Sequence, residues 1–308
     1  MGQRISIIKL VDKFPSEESC REKLAQLRWN GEPFCPHCGQ KNPYRFIDGK
    51  SYKCSNKECH KKFNVKTKTI FENSKLPLRT WFLAMYLFSA HKKGISSVQL
   101  SKYLEVTQKT AWFMMHRIRL IMNNMNPSFF TAGTIEIDET FVGGKNKNRH
   151  WDKKVKNSQG RSFKDKTPVI GLLHRETKQV MAFKIKDTSA KQIQPIIHKY
   201  IGEGCCVMTD EWHAYRGIEL KYNHHYIDHG KGEYAKGNVT TNSIEGFWSH
   251  FKRGIIGVYH WISKKHLQRY CTEYSFRYNT KLMSEYDRMI ELLSVCTDRL
   301  KYNSLIKN

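Results

Sequence analysis

The chain has 308 residues, with 53 Lys and Arg against 28 Asp and Glu, for a net charge of +25 at neutral pH. That length suits two or three domains, and so large a positive charge makes a nucleic-acid polyanion the leading expected partner. No apolar run approaches the ~18 residues of a spanning helix, and nine cysteines, an odd number, argue against a secreted disulfide framework. The apolar core of the first ten residues is too short for a secretory signal, so no membrane partner and a cytoplasmic, nucleoid-associated location are expected.

Residues 1–30 read as a helical leader, with one helix opening at Pro15-Ser16-Glu17-Glu18 and carrying the stripe Cys20, Leu24, Leu27. Residues 31–72 hold Cys35-x₂-Cys38, fifteen residues, then Cys54-x₄-Cys59. Two cysteine pairs on tight turns joined by a hairpin make a tetrahedral site for one structural Zn²⁺, a small zinc ribbon. His60 is an alternative fourth ligand, with Cys59 the better fit to the spacing. Residues 73–126 read as helical: Leu78 to Ala90, a break at Gly94, a cap at Ser96, a short turn, and Gln108 to Met122 capped by Thr107. Two short helices across a tight turn resemble a helix-turn-helix module, which would turn Gln108 and Lys109 toward DNA, with Arg117 further along the same helix.

From Gly133 the periodicity becomes that of strands. Ile135 to Val142 is the first. Gly143 to Lys166 is a charged loop with nine Lys or Arg, and Lys145, Lys153, Lys154 and Lys156 are its candidate phosphate contacts. Pro168 to His174 and Val180 to Ile185 are the second and third strands, and Thr188 to Tyr200 is a helix. Cys205 to Thr209 and Tyr222 to Ile227 are the fourth and fifth strands, and residues 241–254 and 263–278 are helices. The expected order β-β-β-α-β-α-β-α is that of a ribonuclease-H-like α/β fold over residues 130–282, a mixed sheet with helices on both faces. Residues 283–308 follow as a C-terminal helical tail. In that fold the first and fourth strands lie side by side.

Three acids sit at telling places. Asp138 lies in the alternating run Thr-Ile-Glu-Ile-Asp-Glu-Thr-Phe-Val, Asp210 closes Cys-Cys-Val-Met-Thr-Asp, and Glu245 falls on a helix, with 34 residues between it and Asp210. Acids in apolar strands are unfavourable without a partner such as a metal. Two strand acids and one helix acid can converge on a pair of Mg²⁺ ions, with Mn²⁺ as a substitute, that clamp the oxygens of a phosphodiester exchange. Lys252 follows Glu245 by two helical turns on the same face, next to Arg253, and suits a bound phosphate. Glu139, adjacent to Asp138 in a strand, is expected to face away from the site.

These residues carry a resemblance. Ile-Asp-Glu-Thr-Phe-Val-Gly-Gly-Lys at 137–145, Thr-Asp-Glu-Trp-His-Ala-Tyr at 209–215, Thr-Asn-Ser-Ile-Glu-Gly-Phe-Trp-Ser-His-Phe-Lys-Arg-Gly-Ile at 241–255 and Gly-Val-Tyr-His-Trp-Ile-Ser-Lys-Lys-His-Leu-Gln-Arg-Tyr at 257–270 are similar to the DDE-type transposases of bacterial insertion sequences, in their zinc-ribbon-bearing, ISXO-like group. The resemblance implies Asp138, Asp210 and Glu245 as metal ligands with Lys252 as the accompanying basic residue. It also implies double-stranded terminal inverted repeats and target DNA as substrates, and a homodimer or larger assembly on DNA. A ribonuclease-H-like nuclease without strand transfer, and a transposase-derived zinc-ribbon regulator, are the alternative readings.

Overall fold

The computed structural model describes residues 5–143, 150–156, 165–227 and 240–307. The chain divides into two units, one made of Met1–Met125 with Thr280–Asn308, the other of Asn126–Asn279.

The first unit opens with α1 (Ile7–Lys13) and α2 (Glu17–Trp29). Ser16 caps α2 in a reciprocal box with Ser19, each side chain accepting the other's backbone N–H at 3.2 Å, and this fixes the start that Glu17 and Glu18 favour electrostatically. Strands β1 (Tyr44–Arg45), β2 (Ser51–Lys53) and β3 (Lys62–Asn64) pair antiparallel in that order. Trp29 is buried against the rings of Tyr52 and Phe63 and so gives this small sheet an apolar floor. Helices α3 (Leu78–Ala90), α4 (Ser97–Leu104) and α5 (Gln108–Met122) match the expected boundaries. Ser96 and Thr107 each accept the N–H three residues on, and Glu105 supplies the left-handed turn between α4 and α5. The C-terminal segment, expected as a tail, packs into this unit. Helix α9 (Glu285–Ser294) lies on α3 and α2, and buried Arg288 donates to the carbonyl of Ser89 at 3.0 Å.

The second unit is a five-stranded mixed sheet. Its strands are β4 (Thr134–Val142), β5 (Thr167–His174), β6 (Gln179–Lys184), β7 (Cys206–Asp210) and β8 (Asn223–Ile227), in the spatial order β6-β5-β4-β7-β8. β4, β5 and β6 are antiparallel, whereas β4–β7 and β7–β8 are parallel, which is the ribonuclease-H-like arrangement. Helix α6 (Ala190–Tyr200) covers one face with Ile193 and Ile197 on Ile135, Ile137 and Val207. Helices α7 (Asn242–Gly254) and α8 (Leu267–Asn279) cover the other with Ile244, Phe247, Phe251 and Tyr274 on Val142, Val169 and Val180. The expected helix between the fourth and fifth strands is replaced by two short 3₁₀ turns, His213–Tyr215 and Ile218–Leu220. A final helix, α10 (Tyr302–Ile306), belongs to the first unit. No helix among the described residues is long and apolar enough to cross a membrane.

One glycine sets how closely α7 approaches the sheet. Gly171 pairs with Asp138 across β4–β5, and a Cβ there would fall 2.6 Å from the Trp248 ring and 2.8 Å from Ile244. Only the bare backbone lets α7 seat this low, directly over Asp138.

Because α9 supplies part of the first unit's core, Leu292→Ala, at a fully buried position, should cost about 2–5 kcal/mol. Hydrogen exchange should then show α3 amides losing protection while β5 amides keep theirs. Equal loss in both would mean that the C-terminal segment does not belong to the first unit.

Candidate metal centres and the acid site

The two metal-ligand clusters among the described residues lie one in each unit. In the first, Cys35, Cys38, Cys54 and Cys59 bring their sulfurs within 4.8 Å of one another. The Gly39 N–H turns back onto the Cys35 carbonyl at 2.8 Å with Gly39 at φ +80°, and the His60 N–H donates to the Asn56 carbonyl at 2.9 Å. The sulfur separations are 3.8 Å for Cys35–Cys59 and 3.5 Å for Cys38–Cys54. A tetrahedron with ~2.3 Å metal–sulfur bonds has edges of about 3.8 Å, so the four thiols fit one zinc without rearrangement. Cys59 rather than His60 is the fourth member.

The second cluster is built by strand register. β4 and β7 pair in parallel as Thr134 with Cys206, Ile135 with Val207 and Glu136 with Met208. Continuing that register sets Asp138 opposite Asp210. Strand alternation puts both on the face covered by α7, because Ile135, Ile137 and Val207 occupy the α6 face. The ladder itself stops at Glu136–Met208, so no backbone bonds fill the space between the two acids.

That gap corrects the expectation for Glu139. Its Cβ does lie on the face opposite Asp138, but its carboxylate comes within 4.8 Å of those of Asp138 and Asp210. Where the strands part, a longer side chain from the far face reaches the same opening. The buried hydroxyl of Tyr215 donates to the Glu139 carboxylate and fixes it there, and burial together with Glu139 holds the Tyr215 hydroxyl well above its ordinary range.

Glu245 stands in the first turn of α7, exposed, and accepts from the Thr241 hydroxyl at 3.2 Å. Its carboxylate is outside the group formed by Asp138, Glu139 and Asp210, yet its charge acts on Asp138. Burial first, then the charge of Asp210, and to a smaller degree that of Glu245, push the Asp138 carboxyl up to about 6. The Trp248 indole pulls the other way, although its buried N–H falls short of hydrogen-bond geometry.

The start of α7 is tied to β4 by a residue that pattern reading passed over. Glu136 is fully buried two residues before Asp138, accepts the Ile244 N–H at 3.0 Å and pairs with Arg175 at 2.8 Å. Arg175 also donates to the carbonyl and hydroxyl oxygens of Thr240 at 2.7 and 3.0 Å. One carboxylate therefore satisfies a helix-terminal N–H and anchors the residue immediately before Glu245. The signal was present in part: Glu136 shares the parity of Asp138 in an otherwise apolar strand. Nothing in the sequence marks Arg175 as its partner. Beside the acids, a cleft of about 540 Å³ opens between Trp212 and Tyr215 on one side and His224 and Tyr226 of β8 on the other.

The other expected site residues scatter. Lys252 and Arg253 are exposed in the last turn of α7, and Lys154 and Lys156 are exposed on the loop after β4. Lys145 and the side chain of Lys153 lie outside the described residues. Gln108 is exposed and donates to the Ser97 hydroxyl at 2.7 Å, and exposed Lys109 lies over the Tyr302 ring. Arg117 is a correction. It is buried, donates to the Ile70 carbonyl at 2.6 Å and stacks on Phe113, because nine positions along a 3.6-residue helix carry it from the exposed end to the packed face.

A family description of an ISXO2-like transposase domain matches residues 130–279, the sheet and helices just described, and a transposase zinc-ribbon domain matches residues 15–62, the cysteine cluster. The chain carries an ISXO2-like transposase domain and a transposase zinc ribbon. It is 29% identical over 278 residues to an uncharacterized protein in transposable element ISH50 of Halobacterium salinarum, covering 87% of this chain and 92% of that protein. A simian T-cell lymphotropic virus intasome in complex with a PP2A regulatory subunit is similar at 12% identity, with a TM-score of 0.29 over 61% of this chain and 66% of that one, just under two thirds of its length.

Two outcomes test the electrostatics of this site. Asp138 holds its proton up to about pH 6 in the folded protein against an ordinary 3.8. The folded state therefore binds that proton more tightly, and the Asp138 contribution to the stability of the protein without metal at this site should be undiminished below pH ~4 and fall as pH rises through ~6. At ~1.4 kcal/mol per pKa unit the fall attributable to Asp138 is on the order of 1–3 kcal/mol. Asp138→Asn should remove it, seen as a stability difference from wild type in urea titrations at neutral pH that vanishes at pH 4. A constant difference at both pH values would refute the assignment. Separately, Arg175→Ala strands a buried carboxylate and should cost about 3–5 kcal/mol, part of which Glu136→Gln in the same chain should restore.

Proposed function

We propose that this chain is the DNA transposase of its insertion sequence, binding the element's terminal inverted repeats and carrying out metal-dependent strand cleavage and transfer to target DNA. The observation that carries the reading is the level placement of Asp138 in the middle of β4 and Asp210 at the end of the adjacent parallel β7, with Glu245 acting on Asp138 from the helix above. The donor set is all carboxylate, the chemistry of a hard cation, and the raised Asp138 carboxyl marks a site short of positive charge. Mg²⁺, one or two ions, with Mn²⁺ as a substitute, would supply Lewis-acid stabilisation of the attacking and leaving oxygens of the phosphodiester.

The chain's own residues do the positioning. Asp138 and Asp210 are the primary ligands, Glu245 completes the set from α7, and Glu139, held by Tyr215, adds a fourth carboxylate. Glu136 and Arg175 fix the start of α7 and hence the reach of Glu245. Lys252 and Arg253, exposed two turns along from Glu245, take the phosphates that flank the reacting one, and Lys154 and Lys156 take more distant ones. Gln108 and Lys109 at the start of α5 are the candidates for contacting the repeat. Zn²⁺ on four cysteines has no open position and holds the ribbon together. Two element ends must be joined while each chain has one acid cluster, so the working form is a homodimer or larger assembly on DNA.

On DNA carrying the element's ends, with Mg²⁺, Asp138→Asn and Asp210→Asn should each lower strand cleavage by about 10²–10³-fold or more, the scale of deleting one transition-state charge contact. DNA affinity should stay within about twofold, since neither acid belongs to the basic surface. Cleavage at the wild-type rate in either variant removes that acid from the site.

A further inference from the structure

Helix α7 does not simply stop after its last basic turn. It passes into a π-helical turn, Ile255–Tyr259, and then into His260, at φ 58° and ψ −47°. Non-glycine residues rarely occupy that region, and π-turns and such strained positions concentrate where a chain acts on something else. The turn is firmly held. The Tyr259 hydroxyl donates to Glu273 at 2.7 Å, its ring packs on Tyr270, and the ring of His260 sits 3.0 Å from the Ile256 carbonyl. What this anchoring presents to solvent is apolar: Ile256 is 65% and Trp261 72% exposed. An aromatic side chain of that size is ordinarily buried, so a fixed backbone that thrusts it outward calls for an occupant.

The surroundings say which kind. Glu245, Ser249, Lys252 and Ile256 recur at four, three and four residues and form one exposed stripe of the helix. Between Glu245 and Glu273 the sequence holds no acid, and Lys252, Arg253, Lys264 and Lys265 are exposed around the aromatic turn. A cationic track with an aromatic platform at its end is the pairing that binds a nucleic-acid strand, phosphates on the cations and a base on the ring. The track has a length. Its helical part, from Glu245 to Ile256, spans about 16 Å at ~1.5 Å per residue, the length of a few nucleotides, and Trp261 follows beyond its end.

We propose that Trp261, set out by the π-turn and His260, stacks on an unpaired base of the DNA strand several nucleotides from the phosphate held at the acid site. This rests on the acids being the centre of strand chemistry, and the test separates the two. Full-length protein is titrated, with Mg²⁺ left out so that cleavage plays no part and no chelator added so that the ribbon keeps its zinc, against a blunt duplex and against the same duplex with one strand unpaired over its last five or six nucleotides. Wild type should prefer the unpaired end. Trp261→Ala should lose roughly fivefold to a hundredfold of affinity for it, with little change on the blunt duplex, and Trp261→Phe should keep most of the preference. Equal binding of Trp261→Ala and wild type to the unpaired end overturns the proposal. So does a Phe variant as weak as the Ala variant, or a change in DNA-free oligomeric state on sedimentation, which would make the surface a protein contact. Cleavage by wild type on element ends with Mg²⁺ is read independently, so failure of the catalytic reading leaves these binding outcomes interpretable.

Discussion

The acid site depends on one constraint, the parallel pairing of β4 with β7. Three residue pairs fix the register, and two residues beyond the last of them Asp138 and Asp210 face each other on the side covered by α7. Parallel pairing is essential to this. A one-residue slip would send one of the two to the α6 face and leave a carboxylate in a layer of isoleucines. The apolar residues that alternate with the acids therefore do two jobs: they bury against α6, and in doing so they forbid the slip. The site is specified by its neighbours' hydrophobicity as much as by its own charge.

Holding two like charges at that distance costs free energy in the absence of a cation, and the rest of the unit is arranged around that cost. Gly171 lets α7 seat directly over Asp138, which buries the carboxyl and raises it. Glu136 and Arg175 fasten the same helix by its start, so the strain cannot be relieved by lifting α7 away. Tyr215 restrains Glu139 from the other face. Relaxation is blocked on both sides of the sheet, so the repulsion is offset by a proton on Asp138 below about pH 6 and, above it, by a bound positive charge.

Much of this was legible in the sequence, and what was not has specific causes. The zinc ribbon follows from cysteine spacing, because four thiols at those intervals have few other chemistries. Helix limits at Leu78–Ala90 and Gln108–Met122 follow from capping residues and a breaking Gly94. The strand order follows from the sequence of periodicities, and with it the adjacency of Asp138 and Asp210. Glu139 was misjudged because alternation fixes only the direction of the Cβ, and its longer side chain still reaches the opening left where the β4–β7 ladder has ended. Arg117 was misjudged because a positive residue on a helix was assigned to the surface by charge, when the phase of the helix already placed it inward. Arg175 and Tyr215 carry no local signal: each matters through one partner distant in sequence. The C-terminal segment was taken for a tail because amphipathic helices show that they pack and not against what.

The strongly positive chain has one more consequence for its acid site. A net charge of +25 repels the cation that the acids need, and screening limits that repulsion only beyond about 8–10 Å. At the edge of that range, about 10–12 Å along the helix, Lys252 and Arg253 lie two turns from Glu245 and oppose a cation at the acids. A DNA backbone laid on those residues neutralises them and adds phosphate oxygens beside the carboxylates. On the proposed reading, DNA and metal must then raise each other's affinity, because each removes the charge that opposes the other, and linkage makes the two effects equal in free energy. On that reading the free protein would hold metal weakly for the same reason that it would hold DNA tightly. Strand chemistry would thereby be confined to chains already on DNA, with no conformational switch required to enforce it.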